Sequence, residues 1–254
     1  MIGTMNDQSE PVWSEQLSRQ FLDYGCYFVP DRERQIAIMV GLMPARDGPL
    51  TVLELCCGEG LLAEALLERY PACQVTGLDG SAEMLRRARK RLARFNPRFK
   101  AGEFDLAATS WRKPGCPIHA VVSSLAIHHL DGPQKQELFA DVYALLQPGG
   151  TFVVADMIEP AHDRGREVAA DEWDDVVRER SVSVDGDTAG FEFFAREGWN
   201  TYRYPDPDDI DKPSGLLDQL KWLEQAGFTG IDVHYMRAGH AIFSSWKPEA
   251  SPRT

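Results

Sequence analysis

Between Leu50 and Ala155 the sequence alternates short apolar runs with segments of helical period, and nothing else in the chain restricts the fold as much. Leu50 to Leu55 reads as a strand. Leu61 to Tyr70 repeats apolar residues at helical spacing and stops at Pro71. Gln74 to Leu78 reads as a second strand. Ser81 to Phe95 reads as a helix, with Ser81 as N-cap and Pro97 beyond its end. Phe99 to Phe104, Ile118 to Leu125 and Thr151 to Ala155 supply three more strands. A helix from Pro133 to Leu146, closed by Pro148-Gly149-Gly150, precedes the last of them. Such alternation with short connections implies parallel strands joined by right-handed crossovers, hence a doubly wound α/β sheet covered on both faces.

The flanks are different. Residues 1–48 read as a helical cap and residues 49–156 as the core. From Asp156 to Lys212 the pattern breaks: this stretch has 17 Asp+Glu against 7 Lys+Arg, so 7 − 17 gives −10 of the chain's net −12. It is also rich in aromatics, and residues 157–212 are expected to form a lid inserted between strands 5 and 6. Residues 213–247 return to order with a helix from Ser214 to Gln225. Two strands follow, Ile231 to Met236 and His240 to Trp246, linked as a hairpin by Arg237-Ala238-Gly239. Residues 248–254 form a tail.

Composition narrows the function classes. A chain of 254 residues is one large domain or two small ones, with ample length for a core. The acidic balance weighs against a protein that grips a nucleic-acid backbone, which needs Lys and Arg. The cations between Ser81 and Lys100 read as the outer side of a surface helix, since no stacking aromatics accompany them. No segment approaches the roughly 20 apolar residues of a membrane span. Residues Met1 to Glu10 have no signal-peptide pattern. Five cysteines without a CxxC suit a reduced, cytoplasmic protein. The sequence leaves the oligomeric state open, homodimer included.

The strand ending at Leu55 runs into Cys56-Cys57-Gly58-Glu59-Gly60 and then a helix. Glycines at a strand-to-helix turn let a ligand approach the backbone and meet free helix N–H groups. Asp79 closes the second strand, where a carboxylate can accept two hydrogen bonds from a ribose diol. A phosphate-binding P-loop needs Gly-Lys-Ser/Thr, which is absent. A dinucleotide site prefers GxGxxG, whose third glycine is missing. An adenosyl ligand without phosphate remains, and Glu54 and Glu59 would tolerate its sulfonium and ammonium charges.

The run VLELCCGEGLLAEALLERYPACQVTGLD, Val52 to Asp79, resembles the first two motifs of the class I S-adenosylmethionine-dependent methyltransferases. Phe104-Asp105-Leu106, the run Ser123 to Leu130, Leu146-Gln147-Pro148-Gly149-Gly150 and Trp222 to Phe228 resemble that family's later pieces in order. Cys56 departs from its commonest pattern, which has glycine there. The resemblance implies a seven-stranded, mostly parallel Rossmann-like sheet, with S-adenosyl-L-methionine as cofactor and S-adenosyl-L-homocysteine as product.

It also implies roles. Cys56, Gly58 and Gly60 would carry the methionine part, with Glu54 orienting the loop and helping to hold the ammonium. Asp79 would take the ribose hydroxyls, with a helix N-cap as its structural alternative. Gly80, Ser124 and Leu125 join the cofactor set. Met84 would pack on adenine or serve only the core. Asp105 would accept the adenine amino group, and Leu106 would supply a backbone donor. His128 and His129 are the candidate catalytic residues, as an optional general base. Tyr27, Phe28, Asp156, Trp173, Trp199 and Tyr202 are candidate acceptor walls. No metal is expected, because consecutive histidines diverge and no Cys/His set completes four ligands. The reading is methyl transfer to a small-molecule acceptor through O, N or C, without nucleic acid or membrane. The alternatives are a methyltransferase for RNA or protein, and a protein that handles the cofactor without methylating an acceptor.

Overall fold

The computed structural model describes residues 13–46, 48–112, 115–206 and 210–250. The expectation of no signal peptide at Met1 to Glu10 lies outside them, as does most of the tail. Seven strands form one sheet in the order β3-β2-β1-β4-β5-β7-β6. Their ranges are β1 Leu50–Leu55, β2 Cys73–Asp79, β3 Phe99–Glu103, β4 Ile118–Ser124, β5 Leu146–Met157, β6 Thr229–Arg237 and β7 His240–Trp246. The first five run parallel. β7 is antiparallel to both β5 and β6, so β6 shares the direction of β1–β5.

The described helices are α1 Glu15–Phe28, α2 Arg32–Gly41, α3 Leu61–Arg69, α4 Ala82–Arg91, α5 Gly132–Leu145, α6 Asp163–Asp185, α7 Ala189–Arg196 and α8 Leu216–Gln225. Alternate residues of the central strands enter opposite layers. Val52, Ala120, Val122 and Val153 pack with Met39 of α2 and Leu62 and Leu66 of α3. Leu53, Val121, Phe152 and Val154 pack with Leu138 and Phe139 of α5 and Leu223 of α8. Burial on both faces is why these strands read as continuous apolar runs.

Two element boundaries differ from the sequence reading by more than two residues. The helix expected to reach Phe95 ends at Arg91 and continues as a 3-10 turn, Ala93–Phe95. β5 begins at Leu146, which pairs with Ile118, and a register shift before Ala120 absorbs the Pro148-Gly149-Gly150 stretch. The arginines of α4 and its end are committed locally. Arg86 and Arg87 pair with Glu83, Arg91 with Glu59 and Glu64, and Arg94 with Glu64 and Glu68.

The segment between β5 and α8 holds α6 and α7, which pack on α1 and on the end of β5. Tyr27 and Phe28 of α1, Trp173 and Val177 of α6, Phe194 of α7 and Tyr202 form a third apolar cluster with Met157 of β5. The Trp173 indole N–H donates to the Phe28 carbonyl at 2.7 Å, tying α6 to the end of α1. The N-terminal helix and the insertion therefore make one layer over the carboxyl ends of the strands.

Candidate functional site

A cavity of about 960 Å³ opens between that layer and the strand ends. One half is built from the β1–α3 turn. Cys56, Gly58 and Gly60 take φ values of 53°, 53° and 86°, all left-handed. Glycine enters that region freely, whereas a side chain there costs on the order of 1 kcal/mol. Cys56 thus occupies a position whose backbone favours the glycine that the family's commonest pattern has. Cys57 is buried, and its sulfur would lie 2.8 Å from a Cβ placed on Gly77. Burial pushes both thiols up, so neither is poised as a thiolate.

Asp79 fixes the turn from the side. Its carboxylate accepts from the Gly58 amide at 2.8 Å and the Ser81 amide at 2.9 Å. Ser81 caps α4 by accepting from the Met84 amide at 3.2 Å. Glu54 is buried at the end of β1, and its Oε2 has no partner among the described residues. Burial and the nearby Asp79 push its carboxyl up to about 8. An unpartnered buried acid beside an open glycine turn is a site for a cation. Gly80, Met84, Asp105, Leu106, Ser124 and Leu125 line the same half. Asp105 caps its own turn, accepting from the Ala107 amide at 2.9 Å.

The other half follows β4. The 3-10 turn Ile127–His129 presents both histidines to the cavity. His128 is buried, with Nδ1 against Asp156 Oδ1 and Nε2 3.4 Å from Asp211. Burial alone would lower its pKa, but the Asp156 and Asp211 carboxylates outweigh burial and raise it to about 10. His129 Nδ1 lies 3.1 Å from the same Asp211 oxygen, and its ring packs near Trp13 at 5.3 Å between centroids. Both ring nitrogens of His128 face carboxylates, which hold the ring toward Asp156 and Asp211.

The expected acceptor walls divide. Phe28, Trp173 and Trp199 line the cavity, while Tyr27, Asp156 and Tyr202 do not. Each of the latter spends its polar atoms inside the fold. Tyr27 donates to Asp185, and Tyr202 donates to the Ile158 and Gly239 carbonyls at 2.9 and 2.7 Å. Asp156 accepts from the His128 and Met157 amides at 3.1 and 2.8 Å. Aromatic content alone does not say which way a ring faces.

Four residues entered the site unread. Arg32 and Asp211 line the cavity, as does His240, whose Nδ1 faces the Ala238 carbonyl at 2.7 Å and whose burial lowers its pKa to about 4. Glu15 reaches from α1 to the start of α4, accepting from the Ala82 amide at 2.9 Å and the Ser81 hydroxyl at 3.1 Å. None sits in a local motif, and only tertiary contact brings them here.

Comparison with known proteins follows the same lines. A family model described as a methyltransferase domain matches residues 52–150. A trans-aconitate 2-methyltransferase of Azoarcus sp. is 31% identical over 160 residues, covering 62% of this chain and 56% of that protein. The chain thus matches little more than half of that relative's length. An O-methyltransferase family protein from Burkholderia thailandensis superposes with a TM-score of 0.64 at 14% identity, covering 93% of this chain and 61% of the other. Haemonchus contortus phosphoethanolamine N-methyltransferase 2, solved with S-adenosyl-L-methionine, gives 0.62 at 15%, covering 92% and 58%. The matched segment spans the glycine turn, Asp79 and the strands around them, so the chain carries a methyltransferase domain over residues 52–150 and the fold of the methyltransferases it superposes on.

Proposed function

We propose that the chain transfers a methyl group from S-adenosyl-L-methionine to a small-molecule acceptor held under the α1/α6/α7 layer. The observation that carries this is one cavity with two chemically different halves. At about 960 Å³ it lies at the upper end of the ~300–1,000 Å³ common for small-ligand sites, with room for two molecules.

The residues present fit the cofactor. Glu54 offers an unpartnered carboxylate oxygen for the ammonium, and Arg32 can meet the adjoining carboxylate. Among the described residues a Cβ on Gly58 would find only the Met84 sulfur, at 3.9 Å, so the turn leaves its face open. Asp79 keeps lone pairs for the ribose, although each oxygen already accepts one amide. Met84, Asp105 and Leu106 would surround the adenine. When bound, the cofactor supplies a methyl carbon already activated by its sulfonium.

The chain's own work is placement. Phe28, Trp173 and Trp199 exclude water and give the acceptor an aromatic wall, and alignment for in-line attack can supply much of the acceleration. His129 lines the cavity and is the ring we assign to hydrogen-bond the acceptor's nucleophile. The named activity of the Azoarcus relative adds support for a small organic acceptor.

The test is to incubate methyl-labelled S-adenosylmethionine with the protein and an extract split into small-molecule and macromolecular fractions. Label in small molecules is expected. Label confined to RNA or protein, or none despite measurable cofactor binding, would overturn the acceptor class.

A further inference from the structure

The sequence argues against a metal because neighbouring side chains diverge and no ligand set is complete. The fold answers both points. The 3-10 turn Ile127–His129 brings the two imidazoles to 4.2 Å between centroids, and Asp211 arrives from the insertion, far along the chain. We propose that His128 Nε2, His129 Nδ1 and an Asp211 carboxylate oxygen form a divalent transition-metal site on the cavity wall.

Four observations carry it. First, the three ligand atoms all lie within 4.8 Å of one another, and the Asp211 oxygen is 3.4 Å from His128 Nε2 and 3.1 Å from His129 Nδ1. With metal–ligand bonds of roughly 2.0–2.1 Å, ligand atoms stand about 2.9 Å apart in an octahedron and about 3.3 Å in a tetrahedron. The two spacings to Asp211 match such edges, and the two imidazole nitrogens lie within 4.8 Å of each other.

Second, the non-ligating nitrogen of His128 is already oriented. Its Nδ1 meets Asp156, which is fixed in turn by the His128 and Met157 amides. A carboxylate behind a ligating histidine is the usual way its tautomer and ring plane are set.

Third, Asp211 stands on an anchored segment. The Lys212 amide donates to the His128 carbonyl at 2.7 Å. The buried Lys135 ammonium donates to the Lys212 carbonyl and to the Ser214 hydroxyl, the latter at 2.8 Å. Fourth, Asp156 and Asp211 place two carboxylates at the site against the charge of a divalent ion.

Two nitrogens and one carboxylate oxygen favour Zn²⁺, Fe²⁺, Co²⁺ or Mn²⁺ over Ca²⁺ or Mg²⁺. Three protein ligands leave open positions, and the three residues line the cavity. An oxygen of the acceptor would fill one such position, a use that rests on the methyl-transfer reading. In that form His129 acts as a ligand, and the metal's charge takes over the acidifying task otherwise left to the ring.

The test needs neither cofactor nor acceptor. Untagged full-length protein is stripped with a chelator, titrated with Co²⁺ and followed by visible absorption, then competed with Zn²⁺. One equivalent of Co²⁺ with ligand-field bands is expected. H129Q and D211N should each weaken binding at least 10-fold while circular dichroism and melting show a folded chain. Absence of Co²⁺ binding in the folded wild type, or equal binding in the wild type and both variants, would overturn the site. A protein that binds S-adenosylmethionine but not Co²⁺ would lose the metal and keep the cofactor reading.

Discussion

At the scale of single residues, Glu54 carries the sharpest consequence. Its carboxyl is raised to about 8 by burial and by Asp79, so it is largely protonated at neutral pH in the free protein. Binding an ammonium would favour the ionised form and expel that proton. Near pH 7, titration of S-adenosylmethionine in buffers of different ionisation enthalpy should show release of up to one proton. That release should vanish in E54Q, with weaker binding. The stability sign runs the other way from an ordinary salt-bridged acid. The folded state holds the Glu54 proton longer than the unfolded chain, so this residue costs stability progressively as pH rises from about 4.5 to about 8. Melting of wild type against E54Q across that window should show the wild type losing ground. Parallel curves would remove Glu54 from the account. Glu54, Gly58, Gly60 and Asp79 were legible because they belong to one contiguous strand–turn–helix–strand run. Asp211, Arg32, His240 and Glu15 were not, because no local pattern marks a residue that meets its partners only through the fold.

At the scale of the element, the β1–α3 turn separates binding from folding at two glycines. A Cβ on Gly60 would stand 2.8 Å from Leu92 Cδ1 and 3.4 Å from the Ala88 Cβ, at φ 86°. Gly60→Ala should therefore lower stability by about 2–3 kcal/mol, from left-handed strain plus overpacking. Among the described residues a Cβ on Gly58 meets only the Met84 sulfur, at 3.9 Å, so Gly58→Ala should cost about 1–2 kcal/mol. It should nonetheless weaken cofactor binding at least 10-fold, because the methyl takes the space a ligand would use. Urea unfolding and cofactor titration of both variants read this directly, and a Gly58→Ala protein of unchanged affinity would show that the turn is not the cofactor's floor. The turn's strained backbone was foreseeable from its glycines. The faces of α1 and α6 were not: Trp173 and Phe28 reach the cavity, while Tyr27 and Tyr202 beside them turn inward to Asp185 and to backbone carbonyls.

For the whole molecule, the sequence reading of a seven-stranded, mostly parallel sheet agrees with the fold, because strands buried on both faces declare themselves as apolar runs. The direction of β6, parallel to β1–β5, needed the pairing of β7 between β5 and β6. The insertion carries most of the negative charge, yet Arg203 pairs with Asp171 and Asp174, and Arg180 with Glu33 of α2. Its acidity is thus partly spent on holding the upper layer together. No helix among the described residues is long and apolar enough to cross a membrane. The central proposal is that the cavity above β1, β2 and β4 holds S-adenosylmethionine with Asp79 at its ribose. Equilibrium titration of S-adenosylmethionine and S-adenosylhomocysteine into wild type and Asp79→Ala tests this most directly. The account predicts saturable binding of both ligands by the wild type and a loss on the order of 10- to 100-fold in the variant, the scale of one or two hydrogen bonds to a charged group. No binding by the folded wild type, or equal affinity in the two proteins, would contradict it.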